Sequence, residues 1–115
     1  MKCYISGPMR LGHWHLNLRQ GIDAAEALFV SGITPVCPQL SFLWDVIYPH
    51  TFEDWLRIDL ELVEACDALL RLPGQSEGAD REVAKAHELG IPVFLNIPQV
   101  LEHYAVHFQV RSGHA

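Results

Sequence analysis

Two acidic side chains, Asp59 and Glu82, fall where a helical reading of the sequence expects apolar ones. At about 100° per residue, Trp55, Ile58, Leu62, Val63 and Cys66 form one stripe with Asp59 in its middle, and Arg57, Glu61 and Glu64 take the opposite face. On the next helix Ala79, Val83, Ala86 and Leu89 make the inner stripe, and Glu82 lies between Ala86 and Leu89. An ionised carboxylate without partners in a dry interior costs several kcal/mol. Each acid is therefore either a satisfied polar residue, capping a loop or paired with an arginine such as Arg71, or part of a site with perturbed protonation. Two such acids on consecutive helices favour a site. Paired carboxylates suit cleavage of a glycosidic bond, because one attacks or stabilises the anomeric carbon while the other handles a proton.

Other residues offer matching chemistry. Gly7, Arg10 and Gly12 follow a first strand, and Ser76 and Gly78 open the helix that carries Glu82, so backbone N–H groups, a guanidinium and a hydroxyl can converge on a phosphate. Trp14 and Trp44 offer aromatic faces to a base, with packing as the alternative. His13 with His15, and His103 with His107, invite a metal, but neither pair has a neighbouring Cys and the second lacks the metalloprotease glutamate. Surface histidines are expected, with no metal and no cofactor. Cys3, Cys37 and Cys66 are odd in number, lack CxxC spacing and sit among apolar neighbours, as reduced core thiols of a cytoplasmic protein do.

Elements must position these groups. Lys2 to Ser6 reads as a first strand ending at Gly7-Pro8. A helix from about His15 to Val30 carries Leu18, Ile22, Ala25 and Phe29 at helical spacing, and Gly32 stands where a left-handed terminator belongs. Strands are expected at Ile33 to Val36, Asp67 to Pro73 and Ile91 to Leu95, with helices from Thr51 through Cys66, from Ser76 to Leu89, and after Pro98. The stretch Phe42, Leu43, Trp44, Tyr48, bracketed by Pro38 and Pro49, reads as an irregular lid or interface. Alternating strands and helices imply an α/β fold with a parallel sheet covered on both faces, whose ligand site lies at the carboxyl ends of the strands.

Composition bounds the function. One domain over residues 1–115 is expected, with half the residues hydrophobic and 19% charged. A net charge of −6 argues against a polynucleotide partner. The first residues leave no room for a signal-peptide apolar region and no run approaches membrane-spanning length, so no membrane association and a cytoplasmic location are expected.

The run Tyr4-Ile-Ser-Gly7-Pro-Met-Arg10, the stretch from Asp59 to Asp67, the LPG followed by Ser76-x-Gly78-x-x-x-Glu82, and Ala86-x-x-x-Gly-Ile-Pro-Val together resemble the nucleoside 2-deoxyribosyltransferase superfamily. Within it the chain is similar to small bacterial and phage members and shares features with the 2'-deoxynucleoside 5'-monophosphate N-glycosidases. The resemblance spans nearly all of the first ninety-five residues and stops at Ile97. It implies a flavodoxin-like three-layer sandwich with a four- or five-stranded parallel sheet, and a homodimer or larger homo-oligomer in which a neighbour helps to close the site. It implies further that Glu82 is the nucleophile, Asp59 the acid that handles the proton of the leaving base, and Tyr4 the residue that orients Glu82. Gly7, Arg10, Ser76 and Gly78 match positions that hold a 5'-phosphate. Glu77 and Asp80 depart from that pattern by adding negative charge beside it.

The expected function is cleavage of the N-glycosidic bond of a 2'-deoxynucleoside or its 5'-monophosphate through a covalent glutamyl-deoxyribosyl intermediate. Water as acceptor makes a hydrolase and a second base makes a transferase. The alternatives are a nucleotide-binding sensor that keeps the fold without turnover, and a structural role in which the Phe42 to Tyr48 stretch and the last helix make oligomer contacts.

Overall fold

The computed structural model describes residues 1–109. The chain runs β1 (Lys2–Ser6), α1 (Trp14–Val30), β2 (Thr34–Val36), a 3-10 turn (Pro38–Leu40) leading into α2 (Ser41–Ile47), then α3 (Phe52–Glu64), β3 (Ala68–Arg71), α4 (Glu77–Glu88), β4 (Val93–Phe94) and α5 (Ile97–Tyr104), which continues as a π-helical turn (Ala105–Gln109). All strand pairs are parallel, in the order β2-β1-β3-β4. Four strands are thus present among the described residues, within the expected range. They are shorter than the apolar runs in the sequence, in part because Pro73 and Pro92 flank β3 and β4 and have no N–H to donate to a ladder.

Period-two alternation sorts the two central strands into faces. Cys3 and Ile5 of β1, with Ala68 and Leu70 of β3, face α1 and α5 through Ala24, Leu28 and Val100. Tyr4 and Leu69 face the other way, onto Val63 and Cys66 at the end of α3 and Ala86 of α4. The result is a three-layer α/β/α sandwich, in which each fully buried Leu or Ile contributes about 1.5–3 kcal/mol.

Helix α1 is rotated by about one residue from the stripe the sequence suggests. Gly21, Ala24 and Leu28 are buried, whereas Ile22 and Phe29 are 41% and 66% exposed. The reason is steric. A Cβ at position 21 would lie 2.8 Å from Cγ of Gln39, so the small face turns inward to admit that buried side chain, whose Nε2 donates to the carbonyl of Ile5 at 3.2 Å. Gly32, with φ +88°, ends α1 in the left-handed conformation that a side chain disfavours.

Local signals set the ends of α3 and α4. Thr51 and Asp54 form a reciprocal capping box at the start of α3, and the Ser76 hydroxyl accepts the Ala79 N–H at 3.1 Å to cap α4. The two helices pack side by side with ion pairs along their outer edge, Arg81 to Glu53 at 3.0 Å and Lys85 to Glu64 at 3.1 Å. Leu62 and Leu89, expected on the inner stripes, are 37% and 45% exposed at the margins, where a two-helix layer leaves its flanks uncovered. The stretch expected to be irregular is helical as α2. Among the described residues no helix is long and apolar enough to cross a membrane.

Candidate active site

The chain leaves β1 towards β2 on one side and returns to β3 on the other, and this switch point opens a crevice at the carboxyl ends of the two central strands. The loop after β1, the start of α4, and the faces of α2 and α3 enclose a cleft of about 370 Å³. Its walls include Arg10, Phe42, Asp45, Trp55, Asp59 and Glu82. Both inward acids therefore share one cavity, and they are 6% (Asp59) and 5% (Glu82) exposed.

Glu82 is held on both carboxylate oxygens. The Tyr4 hydroxyl donates to Oε2 at 2.9 Å and the Ser6 hydroxyl to Oε1 at 2.8 Å. Parity explains the arrangement: residues 4 and 6 of β1 point to the same face of the sheet, the face on which α4 lies. Ser6 was not singled out from the sequence. The signal was available, since it stands two residues beyond Tyr4 on the same strand. Arg71 ends β3 on this face too, but its guanidinium donates to the carbonyls of Leu72 and Gly74 and pairs with Asp80 at 3.3 Å rather than with either inward acid.

Burial pushes the Asp59 carboxyl up to about 7. Burial also dominates at Glu82, pushing it up to about 7; the Ser6 and Tyr4 hydroxyls and the Arg71 charge oppose the rise, and the neighbouring charge of Asp59 adds to it. Tyr4 is held well above its ordinary value, first by burial and then by the charge of Glu82, so its hydroxyl remains a donor at neutral pH. The Cys3 thiol, raised to about 12 chiefly by burial, stays protonated and is a poor nucleophile.

These shifts set a pH dependence of stability. The ordinary values are 3.8 for Asp59 and 4.5 for Glu82, so between about pH 4 and pH 7 the folded chain holds protons that the unfolded chain has released. Stability contributed by these groups therefore falls as pH rises through that window and levels off above it. Glu82→Gln is expected to gain about 2 kcal/mol over wild type at pH 8 and almost nothing at pH 4.5. Urea denaturation of both proteins at the two pH values measures the difference; a variant equally or less stable than wild type at pH 8 contradicts the assignment.

The remaining residues singled out from the sequence divide. Gly7, Arg10, Ser76 and Gly78 line the cleft. Ser76 is engaged as the helix cap, and the Arg10 guanidinium pairs with Asp45. Trp44 is not in the wall. It lies edge-on against Trp55, with ring centroids 4.9 Å apart, and the aromatic surface of the cleft comes instead from Phe42, Phe52 and Trp55. Trp14 stacks on Phe42 at 4.8 Å and 11°, supporting the wall from behind. Asp45 is a second residue missed in the sequence: its Oδ1 accepts the Trp55 indole N–H at 2.6 Å and the His50 backbone N–H at 2.9 Å. Nothing in the local sequence marks it, because two of its three partners, Arg10 and Trp55, come from the β1 loop and α3.

Residues 1–95 match the family described as Domain of unknown function (DUF4406). Among solved structures, a 2-deoxyribosyltransferase from the psychrotolerant bacterium Bacillus psychrosaccharolyticus is similar with a TM-score of 0.64 at 24% identity, over 81% of this chain and 69% of that one. No curated protein sequence matches the chain. The family match runs from β1 through β4 and takes in every residue of the cleft named here, so the chain belongs to the DUF4406 family and carries the fold seen in 2-deoxyribosyltransferase.

Proposed function

We propose that the protein cleaves the N-glycosidic bond of a 2'-deoxynucleoside or its 5'-monophosphate, with Glu82 as nucleophile. The observation that carries this reading is a buried glutamate held by two hydroxyls in the same aromatic-lined cleft as a second buried acid whose proton affinity lies near neutrality. The shared fold with an enzyme named for deoxyribosyl transfer supports it. A 2'-deoxyribosyl group lacks the electron-withdrawing 2'-hydroxyl, so positive charge develops readily at the anomeric carbon and a carboxylate beneath the ring suffices to capture it.

In the first step an oxygen of Glu82 bonds to C1', the bond from C1' to the base nitrogen breaks with its electron pair leaving on the base, and protonated Asp59 supplies a proton to the base. In the second step water attacks C1', Asp59 takes its proton, and the Glu82 ester bond breaks to restore the carboxylate. A second base in place of water completes a transfer. Tyr4 and Ser6 are positioning residues that hold Glu82 in one rotamer. Gly7, Arg10, Ser76 and Gly78 surround the far end of the sugar.

The test is incubation with the four common 2'-deoxynucleosides and their 5'-monophosphates, with and without a second free base, followed by chromatography of the released base. Tight, saturable binding without release over many hours would leave a sensor in place of an enzyme. The proposal extends to a cytoplasmic homo-oligomer in which a neighbouring copy helps to close the site. Leu43, Trp44, Val46 and Ile47 of α2 are exposed beside the cleft and form the kind of apolar surface that subunits cover. Light scattering coupled to size exclusion is expected to return a dimer or larger species, and a strictly monomeric mass at tens of micromolar rejects that part.

A further inference from the structure

The pair formed by Arg10 and Asp45 bears on which substrate the cleft accepts. The cleft is lined by four carboxylates, Asp45, Asp59, Glu77 and Glu82, and by one guanidinium, Arg10. That guanidinium is about half exposed, but its charge is already paired. Its Nη2 is paired with Oδ2 of Asp45, whose side chain is only 15% exposed and is fixed through Oδ1 by the Trp55 indole and the His50 backbone N–H. The other cationic feature of the wall is the amino terminus of α4. Its first turn already carries Glu77 and Asp80, which answer the partial positive charge of the helix end, and the Ser76 oxygen caps it by accepting the Ala79 N–H, which leaves its proton as a single neutral donor. A phosphate dianion would thus enter a cavity with a surplus of negative charge, in which the charge of the guanidinium lining it is already neutralised by an anchored aspartate. A neutral 5'-hydroxyl meets no such opposition, and carboxylates are good acceptors for it.

We propose that the cleft takes the unphosphorylated 2'-deoxynucleoside in preference to its 5'-monophosphate, and that Asp45 sets this preference by holding Arg10. The inference rests on the reading under Proposed function and narrows its substrate class. Asp45→Asn isolates the effect. The amide keeps Oδ1 for Trp55 and His50 but presents an NH₂ in place of the oxygen that holds Arg10, so the anchor of α2 survives while the guanidinium is released.

The experiment compares kcat/KM for base release, and the dissociation constant by calorimetry, for each deoxynucleoside and its 5'-monophosphate on wild type, Asp45→Asn, and Asp45→Asn with Arg10→Gln. Wild type is expected to favour the nucleoside by about tenfold or more. Asp45→Asn shifts the ratio towards the monophosphate by about tenfold to a hundredfold, the range of one charge-assisted hydrogen bond, and adding Arg10→Gln removes the shift. A wild-type preference for the monophosphate overturns the proposal and leaves glycosidic cleavage standing. An unchanged ratio in a folded Asp45→Asn protein overturns the role given to Asp45. Neither binding nor release with either class overturns the catalytic reading and this proposal together.

Discussion

Glu82→Gln is expected to lower base release by on the order of 10⁴-fold while leaving the protein folded and, above pH 7, more stable than wild type. The amide is close in shape to the carboxylate but does not attack C1', because its oxygen is a far weaker nucleophile. The hydrogen bonds can be re-formed. The Tyr4 hydroxyl donates to the amide oxygen, and the Ser6 hydroxyl accepts from the amide nitrogen and turns its own proton to the Ala79 carbonyl, which already lies 3.4 Å away. Glu82→Ala is a less clean test, because it strands the Tyr4 hydroxyl in the interior at about 1–3 kcal/mol. Steady-state release of base, measured beside the urea midpoint, separates the two effects. Retention of more than a tenth of wild-type activity in Glu82→Gln removes the nucleophile from the mechanism.

Asp59→Asn should cost about 10²–10⁴-fold in rate, the usual contribution of a positioned general acid, and it should change the shape of the pH profile. In wild type the reactive form carries a proton on Asp59 and none on Glu82. With both groups raised to about 7, activity rises and then falls around neutrality with apparent values that belong to the pair. The variant has no acid to lose, so the alkaline limb disappears. Its acidic limb stays close to the wild-type position, because Asp59 is already protonated and uncharged where Glu82 first loses its proton. The defect should shrink for a substrate whose base leaves easily without protonation. A variant that keeps the alkaline limb and shows the same loss with good and poor leaving groups would assign the proton to another group.

Much of this site follows from periodicity alone. Asp59 and Glu82 stand on apolar helical stripes, and a carboxylate there has to be satisfied or functional, whatever the details of packing. The strand–helix alternation likewise dictates a parallel sheet, since parallel neighbours require crossovers. Gly32 announces the end of α1 because few other residues adopt its conformation. Tertiary structure decided the rest. The rotation of α1 depends on a close approach between Gly21 and Gln39, eighteen positions apart, for which no local pattern exists. Trp44 and Trp55 are both aromatic residues near the cleft, and only the docking of α2 on α3 puts the second in its wall and the first behind it. Asp45, Arg10 and Trp55 become partners because three separate segments meet at one strand end. Local sequence carries the free energy of turning one face of each element inward; which side chains meet across the cleft depends on steric fit between elements, and that is settled only when they pack.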